Sequence, residues 1–128
     1  MVDEQGRVKI IDFAMAEKLE SEDSEIEIKH PKNKSYVAPE IETRRRCSMA
    51  SDWWAVGVII YELVLGNKPF TKSYNIANEK LIFPNTNRKP HSNNFRDLVE
   101  KLLCPLPRLA NADEILAHPW FSEKAEYQ

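Results

Sequence analysis

The chain has 128 residues, a formal net charge of −2, 42% hydrophobic residues and 30% charged residues. That is the length of one domain, with enough apolar side chain to argue against wholesale disorder. The near-neutral balance excludes the basic footprint of a general nucleic-acid binder, and no uncharged apolar run approaches the roughly 20 residues that span a bilayer.

In chain order, Val8–Phe13 reads as a short strand, preceded by the turn chemistry of Glu4-Gln5-Gly6-Arg7. Val2 and Asp3 then form the tail of a partner strand, giving a small N-terminal hairpin. From Glu17 to Lys34 no periodicity survives. The first half is acidic (Glu17, Glu20, Glu22, Asp23, Glu25, Glu27) and the second basic (Lys29, His30, Lys32, Lys34). A loop of this length in a small domain is functional or disordered. Ser35–Glu42 is compact and carries Pro39, and Arg44-Arg45-Arg46 follows as a solvated basic face or a dock for an acidic partner.

The stretch from Asp52 to Leu65 predicts a helix with Ser51 or Asp52 as its cap and Gly66 at its end. Trp53, Trp54, Val56, Val58, Ile59, Ile60, Leu63, Val64 and Leu65 leave no polar side, so the helix must be wrapped on all sides. The chain has few other helices to do the wrapping. Lys68-Pro69-Phe70 reads as a turn and Ile76–Leu81 as a short helix. Ser92–Leu103 is the cleanest amphipathic helix, with Phe95, Leu98, Val99, Leu102 and Leu103 on one face. Pro105 and Pro107 stop it. Asn111 caps a last helix with Glu114 three residues on, Pro119 ends that helix, and Trp120-Phe121 pack back as an anchor. The fold class is mainly α with a small N-terminal β hairpin.

Cys47 and Cys104 are distant in sequence and do not cluster with His30, His91 or His118. They read as free thiols in a reducing compartment. With no apolar secretory core near Asp3, Glu4 and Lys9, the expected location is cytoplasmic or nuclear, away from membrane.

One set of signals is ordered along the whole chain. Asp12-Phe13-Ala14 is followed by the long loop, Ala38-Pro39-Glu40, Asp52-Trp53-Trp54-Ala55-Val56-Gly57, Arg108-Leu109 and His118-Pro119-Trp120-Phe121. This order resembles the C-terminal lobe of a eukaryotic protein kinase. The double tryptophan after Asp52 and the later Phe83-Pro84 look most like the AGC group of Ser/Thr kinases. A lone Asp-Phe-Ala would mean little; the order and spacing carry the resemblance.

The resemblance implies residue roles. Asp12 would hold Mg²⁺ bridging the phosphates of ATP, since a hard cation takes carboxylate oxygen; read alone, it is a turn-capping residue. Phe13 beside it would be structural. Ala14 stands where the family has glycine, which narrows the backbone freedom there. Glu40 and Arg108 would form an ion pair tying the end of the activation segment to the loop after the amphipathic helix, and Asp52 would receive backbone N–H groups from the catalytic loop. The partner class implied is a protein substrate or binding partner, together with the missing N-lobe half.

Other parts of the family's machinery do not occur. The sequence contains no G-x-G-x-x-G, no V-A-I-K and no H-R-D-x-x-x-x-N. The resemblance therefore implies a partial domain over residues 1–128, beginning just past the catalytic loop, inactive as an isolated chain. Lys29, Lys32, Asn33 and Lys34 occupy positions where the family has phosphorylatable or turn residues. Those departures, together with Ala14, suit a second expectation, a pseudokinase-like module that binds proteins without catalysis.

Overall fold

The computed structural model describes residues 1–31, 34–70, 80–84 and 91–123. At the N-terminus Val2 and Val8 form one antiparallel bridge. The turn between them is built by Asp3, whose carboxylate accepts from the N–H groups of Gln5 at 3.1 Å and Arg7 at 2.8 Å. Gly6 sits there at φ 79°, a conformation that glycine adopts without cost. The expected strand does not continue to Phe13. Ile10, Ile11 and Phe13 are exposed, and no neighbouring strand pairs with them among the described residues. A strand without a partner leaves its backbone groups to water.

The two-stranded sheet lies elsewhere. Strand β1 (Ile26–Glu27) pairs antiparallel with β2 (Arg46–Cys47), placing Ile26 opposite Cys47 and Glu27 opposite Arg46. The segment that reads as a patternless loop thus gives up two residues to a sheet. The acidic stretch meets the basic run: Arg44 lies 3.6 Å from Glu25, and Glu27 faces Arg46 across the strands. Opposite charges directly across two strands, as at Glu27 and Arg46, add about 0.2–1 kcal/mol. All three arginines stay exposed, as a solvated basic face requires, while Arg44 and Arg46 also meet acidic residues of the same chain.

Helix α1 (Pro39–Arg44) starts with proline in its first turn, where the missing N–H is not needed. It stops at Arg45, held at φ 55°. Helix α2 (Met49–Leu65) begins one turn earlier than its sequence suggests. Ser48 is the cap, and Ser51 sits inside the first turn with its Oγ accepting from the Ser48 N–H at 3.1 Å. Gly66 ends the helix at φ 79°. Helix α3 (Asn93–Leu102) has Ser92 as its cap, accepting from the Phe95 N–H at 3.1 Å. Helix α4 (Ala112–Leu116) is capped by Asn111, whose side chain accepts from the Glu114 N–H at 3.0 Å. The expected helix over Ile76–Leu81 falls mostly on residues 71–79, outside the described ones.

The core forms where α2 crosses α3. One stripe of α2 (Trp54, Gly57, Val58, Tyr61) is buried against Phe95, Val99 and Leu103. Leu98, Leu102 and Ile115 build an adjoining cluster under α4, and Trp120 packs against both clusters. The wrapping expected around α2 is incomplete. Ile59 is 46% exposed, Val64 43% and Leu63 80%. The all-round apolar helix therefore buries a single face among the described residues. None of the described helices is long and apolar enough to cross a membrane.

Gly57 marks the closest approach of the two helices. A Cβ there would lie 2.8 Å from the Leu102 Cβ and 2.9 Å from the Leu103 Cδ2. Alanine improves helix propensity by about 0.8–1 kcal/mol, but overpacking a core typically costs about 1–3 kcal/mol. The Leu102 Cβ is tied to its own backbone and cannot swing aside, so the clash should win. Gly57→Ala is expected to lower the urea midpoint, and an unchanged or raised midpoint would show that α3 can retreat.

Candidate functional site

The most organised polar site is a buried hub joining α1, the start of α2 and the loop after α3. Glu40 and Arg108 are 68 residues apart, yet Arg108 Nη2 lies 2.6 Å from Glu40 Oε2, with the side chains 0% and 6% exposed. The other two guanidinium nitrogens also find acceptors. Its Nε donates to the Cys104 carbonyl at 3.0 Å and its Nη1 to the Ala50 carbonyl at 3.2 Å. Its planar face lies 4.9 Å from the Trp54 ring, a placement that favours arginine over lysine. The second oxygen of Glu40 accepts from the Ser51 Oγ at 2.8 Å. Burying an ion pair is tolerable when further hydrogen bonds meet the charged groups, and here each guanidinium nitrogen and each carboxylate oxygen has a partner. The resemblance suggested the two charges. It did not suggest Ser51, which both closes the first turn of α2 and holds Glu40.

Asp12 lies apart from this hub. It is exposed and held at φ 64°, a left-handed conformation that aspartate tolerates better than most residues. Its carboxylate accepts from the Ala14 N–H at 3.3 Å, and the turn closes with the Ala16 N–H on the Phe13 carbonyl at 3.0 Å. Ala14 itself is not at positive φ, so alanine in place of the family's glycine is unstrained in this conformation. Phe13 is 68% exposed; the structure gives it no packing role among the described residues.

Mg²⁺ binds through about six oxygens. Among the described residues no three His, Cys, Asp or Glu side chains converge on a position that could hold a metal ion. Asp12 offers one carboxylate, and the residues present do not fit the ion by themselves. Nor does the sequence supply a Gly-rich loop for the phosphates of ATP.

Asp52 also stands alone. It is exposed on the first turn of α2 and has no hydrogen-bond partner among the described residues. The packed surroundings on its inner side push its carboxyl above the ordinary range. Burial likewise raises the nearby Cys47 thiol, the Asp52 charge adds to this, and a contact from Ser51 opposes it. Cys47 is thus a protonated, poorly nucleophilic thiol.

Two contacts escape a reading of the sequence. The Tyr36 hydroxyl donates to Glu62 Oε2 at 2.8 Å, with the Lys68 ammonium 4.7 Å from the Tyr36 ring centre. Glu62 is the one carboxylate in the apolar run from Trp53 to Leu65, and that isolation is the signal that could have flagged it. His118 is buried and hydrogen-bonded twice. Its Nδ1 accepts from the Trp120 N–H at 3.2 Å. A backbone N–H can only donate, so the proton sits on Nε2, which donates to Asp97 Oδ2 at 2.8 Å.

Hydrogen bonds from Lys101 and then from His118 hold Asp97 below the ordinary carboxylate range. A carboxylate depressed on folding contributes stability above its unfolded pKa of about 3.9 and loses it as pH falls through the folded value. Asp97→Asn is therefore expected to flatten the acid limb of a stability–pH curve below about pH 4. The Asp97 side chain is half exposed, so the effect is screened and small. Parallel acid limbs for the variant and the parent would remove Asp97 from acid sensitivity.

The protein kinase domain model matches residues 1–121. Citron Rho-interacting kinase of Homo sapiens is 30% identical over 138 residues, which covers 96% of this chain and 7% of that protein. The cAMP-dependent protein kinase type 3 of Saccharomyces cerevisiae is 32% identical over 136 residues, covering 96% of this chain and 32% of that protein. Serine/threonine-protein kinase 17A of Oryctolagus cuniculus is 32% identical over 127 residues, with 94% and 32% covered. The chain thus spans less than a third of the length of each of these relatives. A helical framework pinned by Glu40 and Arg108, matched over nearly all its length by one family, places this chain in the protein kinase domain family.

Proposed function

We propose that residues 1–128 correspond to the C-terminal-lobe portion of an AGC-like Ser/Thr kinase domain, from just after the catalytic loop to its last helix. In a whole domain of this kind the reaction is transfer of the γ-phosphoryl of ATP to a protein hydroxyl, with Mg²⁺. The observation that carries the reading is the Glu40–Arg108–Ser51 hub, because it joins the segments that hold three of the ordered motifs. The uncovered side of α2, with Ile59, Leu63 and Val64 open, supports the view that further kinase residues belong against it.

As an isolated chain the protein should not catalyse the reaction. Asp12 is the one residue of the catalytic set in this sequence, and it stands exposed without companion ligands among the described residues. Incubated with labelled ATP, Mg²⁺ and a basic peptide, the purified chain is expected to incorporate no more label than an Asp12→Ala control. Turnover above that control would overturn the proposal of inactivity.

A non-catalytic, pseudokinase-like binding role is the second reading. It is favoured by the same solitary Asp12 and by lysine at position 29, where a phosphorylatable residue is expected. If the isolated chain is unfolded and retrieves no partner, that reading fails.

A further inference from the structure

His118 is a buried titratable side chain that phosphoryl transfer does not use. It is 6% exposed and caps the 3₁₀ turn Pro119–Ser122 with its own ring, Nδ1 accepting from the Trp120 N–H at 3.2 Å. Its Nε2 donates to Asp97 Oδ2 at 2.8 Å. One acceptor and one donor are all that a neutral imidazole has. A proton taken up from solvent therefore has one place to go, Nδ1.

With that proton in place both nitrogens are donors. Turning the ring over brings no relief, because either nitrogen then points an N–H at the N–H of Trp120. The two sides of the ring respond differently. Toward α3, Asp97 gains a positive partner, and a hydrogen bond between charged groups is the stronger kind. Toward the turn, the Trp120 N–H loses its acceptor. The ring stays with Asp97, and the turn yields.

The charged groups around the ring fit this division. From α3 comes Asp97, which also holds the Lys101 ammonium at 2.6 Å. From α4 the Ile115 carbonyl accepts from the His118 backbone N–H at 3.1 Å, while Asp113 and Glu114 are exposed on that helix. At the far end of the turn Glu123 is held by Ser92 at 2.7 Å and Asn94 at 2.6 Å. His91 lies one ring further off, its centre 5.5 Å from that of Phe95. The turn is thus fastened at both ends, by His118 to Asp97 and by Glu123 to the start of α3. Trp120 lies between the fastenings and packs against both core clusters.

We propose that His118 is a proton-operated latch on this C-terminal anchor: neutral, it seats Trp120 over the α3 core; protonated, it releases the turn and lifts Trp120 while both ends stay tied. Histidine ordinarily changes charge between pH 5 and 8, so the seating of the anchor follows mild acidification. The latch is independent of the kinase reading and of the phosphoryl-transfer assay.

The test follows the backbone amides of the full 128-residue chain by ¹H–¹⁵N NMR from pH 8 to pH 5, with exchange rates corrected for their intrinsic pH dependence. Protection of the Trp120 amide should fall about fivefold toward acid, as loss of one capping acceptor implies, while Leu98 and Val99 in α3 keep theirs. In His118→Asn the side-chain oxygen can still accept from Trp120 but takes up no proton, so protection should stay level across the range. Asp97→Asn should move the transition to lower pH, since an amide does not offset the imidazolium charge. His91→Gln should leave the transition in place. Constant protection of Trp120 in the parent would overturn the proposal, as would a transition that survives in His118→Asn, one unmoved in Asp97→Asn, or one abolished by His91→Gln. Should His118→Asn fail to fold, the parent profile with the Asp97 and His91 variants decides the matter.

Discussion

Replacing Arg108 with alanine is expected to destabilise the chain by roughly 3–5 kcal/mol, the usual cost of leaving one partner of a buried ion pair uncompensated. The size follows from what remains. Glu40 would keep its carboxylate at 6% exposure, with only the Ser51 hydroxyl to meet it. The Ala50 and Cys104 carbonyls would lose the guanidinium donors, and the Trp54 ring would lose its flat neighbour. Domains of this size are stable by only about 5–15 kcal/mol, so the variant should lie near the edge of folding. Urea denaturation followed by far-ultraviolet circular dichroism measures the loss. Adding Glu40→Gln should recover part of it, because the double variant no longer buries a lone charge. A loss below about 1 kcal/mol for Arg108→Ala, the range of exposed pairs, would mean that the bridge is solvated and the hub is not a structural pin.

Phe95→Ala should cost a similar amount, about 3–5 kcal/mol, by a different route. Phe95 is 2% exposed and sits on α3 facing α2. Its ring meets Phe83 edge-on at 6.0 Å and Trp120 at 6.1 Å. Removing it opens a cavity where the two core clusters and the C-terminal anchor meet. Trp120 should loosen as well, with a red shift in tryptophan emission as its ring gains water. The Phe121 ring centre lies 5.0 Å from that of Trp120, but Phe121 is 46% exposed. Its alanine variant should therefore lose only a fraction as much. Equal losses for the two would argue that α3 adds no more to the core than the surface does.

The parts of this fold that could be read in advance are those whose information is local. The α3 pattern of Phe95, Leu98, Val99 and Leu102 is a one-faced stripe, and such a stripe names both the helix and its buried side. Gly66 and Asn111 likewise mark helix ends by their own backbone chemistry. The start of α2 was harder: Ser51 and Asp52 were the expected caps, and Ser48 serves instead. Ser51 lies inside the first turn, bonded to Glu40 eleven residues back, a contact that local sequence does not show. Strands β1 and β2 are two residues long, too short to show any alternation. Asp12 and Phe13 were legible only through resemblance to a family, and the described residues leave both in the open.

The amino-acid order by itself determined where the chain turns, which helix is amphipathic, and that several kinase-like motifs follow one another in register, because these are properties of neighbours along the backbone. It also placed an apolar helix at the centre without saying which of its sides would be covered. Only the tertiary structure decided that. It buried Trp54, Val58 and Tyr61 while leaving Ile59 and Leu63 to solvent, and it brought Glu40 to Arg108 and His118 to Asp97. Charges and surfaces meet according to distance in space, and helix crossing fixes that distance where separation in sequence does not.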